Sequence, residues 1–133
     1  MQSYDTRASI EAALHLPLEH RIHRLLLKRV EQWRAAGVLD MTHVLVIEPG
    51  GTEAAIIEEV GFSPLIDLGG ARYPSADFDP YWDGPIWRHD GWFELIVTVG
   101  NSGFAFVLFI QDAAGTLPDL LSMCRDHAEP NAA

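Results

Sequence analysis

Cysteine, lysine and long apolar runs are all scarce in this chain, and each shortage narrows what it can be. The one cysteine, Cys124, excludes a framework of intramolecular disulfides and fits a reducing compartment. No apolar run approaches the roughly 18 residues that a membrane-crossing helix needs. The opening MQSYDTRASIEAALHLPLEHR lacks the basic head and continuous apolar stretch of a secretory signal. A cytoplasmic protein without membrane contact is the expectation. At 133 residues it is expected to be one domain, with a helical region over 7–36, an α+β core over 42–127 and a frayed tail over 129–133.

What is present in excess is negative charge, unevenly placed. Residues 1–36 hold six basic side chains against four acids, whereas residues 37–133 hold three against fifteen, for a net charge of −10. An acidic body repels phosphate backbones, so direct binding to nucleic acid is not expected. It suits a basic protein partner, or mimicry of nucleic-acid charge, or simply solubility.

The hydrophobic pattern predicts an α+β fold in the order α-α-β-α-loop-β-β-α, with helices on a small mixed sheet of three to four strands. A short helix over Arg7–His15 leads to a second, from Pro17 to about Ala36, which Gly37 ends. Leu18, Ile22, Leu25, Leu26, Val30 and Trp33 share one face of that helix, with Arg21, Arg24 and Lys28 on another side. Arg29 falls inside the apolar sector, so it must snorkel or pair with an acid. His43–Glu48 reads as a strand buried on both faces, followed by a turn at Pro49-Gly50-Gly51 and a Thr52-capped helix over Glu53–Val60. Phe62–Leu68 reads as a short extended piece. Trp92–Val99 and Phe104–Ile110 flank Gly100-Asn101-Ser102-Gly103, the signature of a hairpin. In the first of these strands Phe93, Leu95, Val97 and Val99 alternate with Trp92, Glu94, Ile96 and Thr98. The second is apolar throughout and marks the heart of the core, from Phe104 to Ile110. A short helix after Thr116 closes the pattern, burying Leu120, Leu121 and Cys124.

Between the halves lies Gly69–Gly91, GGARYPSADFDPYWDGPIWRHDG, with five aromatics and with Pro74, Pro80 and Pro85. The prolines exclude a long helix or a central strand. A loop so rich in aromatics is either packed over the sheet or presents a binding surface. Its candidate binding residues are Arg72, Tyr73, Tyr81, Trp82, Asp83, Trp87, Arg88, His89 and Asp90. Arg72, Asp83, Arg88, His89 and Asp90 are those that could surround a pocket beneath it, with His89 available for acid–base work.

Other constellations fall short of chemistry. His15, Glu19, His20 and His23 have helical spacings, but no Cys pair or HExxH motif completes a metal site. Pro49-Gly50-Gly51-Thr52 has no lysine to make a phosphate loop, and Glu48 and Glu53 flank it. Neither Cys124 with His127 nor Ser102 has the base and orienting acid that a nucleophile requires. No catalytic residue, metal or cofactor is therefore assigned. The expected role is a non-catalytic protein–protein interaction module, with a homo-oligomer allowed as one form of partner. The alternatives are a small-molecule binder or enzyme with a site under the loop, and an acidic mimic.

Overall fold

Strands that are apolar on both sides need helices on both faces, and that requirement organises this molecule. The computed structural model describes residues 2–4, 7–13, 15, 20–60, 80–82, 86–99, 104–113 and 115–130, with backbone alone at 2, 7, 20, 60, 80–82, 99 and 130. The N-terminal half comprises β1 (Gln2–Tyr4), α1 (Arg7–Ala13), α2 (His20–Ala36), a 3-10 turn (Leu39–Met41), β2 (Thr42–Ile47) and α3 (Glu53–Val60). The C-terminal half comprises β3 (Pro80–Trp82), β4 (Ile86–His89), β5 (Trp92–Val99), β6 (Ala105–Gln111), α4 (Pro118–His127) and β7 (Ala128–Pro130).

Six strands form one mixed sheet in the order β1-β2-β6-β5-β4-β7, and β3 pairs with the far half of β5. β2 and β6 are parallel neighbours, from Thr42 opposite Ala105 to Ile47 opposite Ile110. β5 and β6 are the antiparallel arms of the expected hairpin. The fold is thus α+β, but the small sheet of three to four strands in the order α-α-β-α-loop-β-β-α is overturned. Two of the missed strands lie inside the proline-rich stretch read as a loop. β3 pairs with Val97–Val99 and β4 with Trp92–Glu94, both on the side of β5 away from β6. They pair with β5 in two short pieces, β4 being covered in turn by β7, with Pro80 at the first position of β3, where a strand tolerates proline. The other two, β1 and β7, pair with β2 and β4. β7 takes in Glu129 and Pro130, where the chain was expected to fray; residues 131–133 lie outside the described residues. Each missed strand has only three or four residues, too few to show a period of two, and is held by its neighbour's ladder.

Two cores sit back to back. On one face Leu45, Ile47, Phe93, Leu95, Val97, Leu108 and Ile110 pack against Ile56 of α3 and Leu120, Leu121 and Cys124 of α4. On the other Val44, Val46, Trp92, Val107 and Phe109 pack against Ile10 and Ala13 of α1 and Ile22, Leu26 and Val30 of α2. Each large apolar side chain so buried contributes about 1.5–3 kcal/mol. Phe104 is not part of the expected core: it precedes the first residue of β6 and is 51% exposed. The local signals at the helix ends behave as the sequence implies. Gly37 has φ +74° beyond α2, and the Thr52 hydroxyl accepts a hydrogen bond from the Ala55 amide (3.2 Å) at the start of α3. Among the described residues no helix is long and apolar enough to cross a membrane.

Candidate functional site

The helical period of α2 sends Ile22, Leu26 and Val30 into the core and leaves Arg21, Arg24, Leu25 and Lys28 along its flank. That flank faces the β4–β5 turn. Between them lies a groove of about 380 Å³ lined by Arg21, Arg24, Leu25, Lys28, His89, Asp90 and Trp92. The turn is only Asp90-Gly91, because His89 pairs directly with Trp92. Gly91 has φ +78°, and a Cβ there would run into the Arg21 guanidinium that lies over it. Arg21 also lies 3.8 Å from Asp90, an exposed pair, so the lining sets three cations against one acid.

Behind the groove is a buried polar line. Alternation along β5 places Glu94 on the α2 side, where it is 1% exposed. Arg29 reaches it from α2 with two hydrogen bonds, Nε to Oε2 (2.7 Å) and Nη2 to Oε1 (2.6 Å). His89 Nε2 lies 2.8 Å from Oε1. Arg29 is itself steadied by Gln32 Oε1 (2.9 Å). Burial pushes the Glu94 carboxyl up, but the hydrogen bonds and charges of Arg29 and His89 outweigh it and hold the group below the ordinary carboxylate range. Glu94 is therefore ionised at neutral pH, and an ionised carboxylate only accepts hydrogen bonds. His89 must donate from Nε2. The result is an imidazole with a fixed tautomer at the edge of a basic groove.

The sequence candidates are divided by the sheet. Trp87 and His89, opposite Glu94 and Trp92, face α2. Arg88, opposite Phe93, faces α4 instead; its guanidinium lies 4.8 Å from the centre of the Phe93 ring. Arg88 and His89 therefore do not share a pocket. Asp90 projects from the turn with a side chain 90% exposed. Arg72, Tyr73 and Asp83 lie outside the described residues, as do the side chains of Tyr81 and Trp82. Of the histidine cluster, His15 is exposed and His23 half-buried, and Glu19 and the His20 side chain lie outside the described residues. No three His, Cys, Asp or Glu side chains come together as a metal site among the described residues. Cys124 is buried in the α4-side core, where loss of solvent pushes its thiol up to about 12. It is not a nucleophile at neutral pH.

Sequence reasoning missed Glu94, Arg29, Arg21, Arg24 and Lys28 as parts of one site. Two signals pointed there: an arginine within the apolar sector of a helix, and a glutamate on an otherwise buried strand. A third, Asp90-Gly91 between alternating flanks, is a hairpin signal that brings His89 beside Trp92. Comparison with protein-family models, with curated proteins and with solved structures returned no match.

Proposed function

We propose that this chain is a non-catalytic binding protein that takes a small oxyanion-bearing molecule in the groove between α2 and the β4–β5 turn. The observation that carries the reading is charge. In a protein of net −10, Arg21, Arg24 and Lys28 converge on one concave site whose single acid, Asp90, is paired. The volume, about 380 Å³, is that of a small-molecule site, for which pockets of about 300–1,000 Å³ are usual. Leu25 and Trp92 supply apolar walls. None of the seven lining residues is Ser, Thr or Cys, so the groove presents no hydroxyl or thiol nucleophile.

A second cavity, about 230 Å³, lies between the starts of α3 and α4. Glu53 and Asp119 line it and disfavour an anion there. The charge of the α2 groove also alters the expected partner: the group it attracts is acidic, not basic. The test is titration calorimetry with inorganic phosphate and with phenyl phosphate at pH 8 and low ionic strength. Binding that weakens with added chloride and is reduced in Arg24→Glu supports the groove. Tighter binding of phenyl phosphate identifies the ligand as an ester rather than the free ion. Equal heats for the parent protein and Arg24→Glu would sink the reading.

A further inference from the structure

We propose that the oxyanion enters the groove together with a proton, which is taken up at Nδ1 of His89. This rests on the groove being an oxyanion site. It deepens that reading by assigning the ligand a linked proton and His89 the role of carrying it.

The argument begins with the carboxylate. Both oxygens of Glu94 are occupied, Oε2 by Arg29 Nε and Oε1 by Arg29 Nη2 and His89 Nε2. The ring proton of a neutral His89 is therefore held on Nε2, pointing away from the groove. Among the described residues Nδ1 has no hydrogen-bond partner. Among the described residues the one fully buried side-chain polar atom without a partner is Thr98 Oγ1. Nδ1 is thus unpaired but not sealed off, in a residue that lines the groove.

A neutral imidazole presents a lone pair at Nδ1, which opposes the lone pairs of an oxyanion. An imidazolium presents an N–H, which donates to one. The ligand therefore binds the protonated ring more tightly, and by linkage its binding draws a proton onto the ring. The other charges around the ring set the balance. Arg21, Arg24 and Lys28 on α2 oppose a further positive charge while the groove is empty. Glu94 on β5 favours it, tempered by Arg29, and Asp90 in the turn is held by Arg21. A bound dianion cancels the opposition from α2, which is the physical source of the coupling.

Sulfate is the probe, because it stays doubly charged across the range in which imidazoles titrate, about pH 5 to 8. Calorimetry in buffers of different ionisation heat counts the protons taken up per sulfate bound. The parent protein is expected to take up a fraction of a proton approaching one. Its sulfate affinity should fall by up to about tenfold per pH unit on the alkaline side. In His89→Gln, uptake should vanish and the affinity become flat with pH. In Arg24→Glu, affinity should drop at every pH while the slope persists. Should His89→Gln fold poorly, the imidazole resonances of the parent protein give the same answer, since sulfate must shift the His89 titration to higher pH. Sulfate binding without proton uptake, or a slope that survives in His89→Gln, overturns the proton linkage and leaves the groove standing. Absence of sulfate binding at every pH overturns both.

Discussion

On the face of the sheet beneath α3 and α4, the buried side chains of the sheet are carbon throughout, from Leu45 to Ile110. On the face beneath α1 and α2, an equally buried layer is interrupted by Arg29, Glu94 and His89. The same strand, β5, contributes Phe93 and Leu95 to the first face and Glu94 to the second. Burying an ion pair costs several kcal/mol of desolvation per ion, which the mutual attraction only repays when the geometry is good. The apolar face shows that this sheet can be covered without one. What the polar face gains is a fixed imidazole beside a groove rich in positive charge. Stability explains one side and the site explains the other.

The largest expected effect comes from breaking the pair. Glu94→Leu alone strands the Arg29 guanidinium, whose side chain is 13% exposed, and should cost about 3–5 kcal/mol in urea unfolding. The double variant Arg29→Met/Glu94→Leu should recover most of that loss while losing the ordered His89. No recovery would mean that the pair is held by packing rather than charge. On the opposite face, Phe93→Ala should cost a similar amount, about 3–5 kcal/mol, through the cavity it leaves. The two variants separate when pH is varied. Because the Glu94 carboxyl titrates below its ordinary 4.5 in the folded chain, its contribution is complete above pH 4.5. It is lost as pH falls through the lower folded value. Phe93→Ala should keep that acid limb, and the double variant should lack it.

Smaller effects test the groove and the surface. Charge reversal of Arg24 or Lys28, both exposed, should weaken phosphate binding about tenfold and change stability by less than about 0.5 kcal/mol. The Cys124 thiol should stay unreactive towards an aromatic disulfide reagent near neutral pH and react only on unfolding, as its value of about 12 requires. Arg125→Ala removes an exposed ion pair with Asp112 and should cost no more than about 1 kcal/mol.

The amphipathic face of α2, the buried alternation of β5 and the core position of Cys124 were legible without coordinates, because each is a local period read against water. So was the choice facing Arg29, to snorkel or to pair with an acid. Which acid it meets was not: Glu94 lies 65 residues away, and only the docking of α2 across β5 brings the two together. The proline-rich stretch shows the same limit. Trp87, Arg88 and His89 are consecutive, and only pairing with β5 sends Trp87 and His89 to one face and Arg88 to the other. β3 and β4 are too short to declare themselves and exist because β5 offers them hydrogen bonds. Sequence thus determined which side chains must leave water and which must find a partner. Tertiary structure decided who the partners are, because ladders and ion pairs between distant segments are stabilised by proximity that no local pattern encodes.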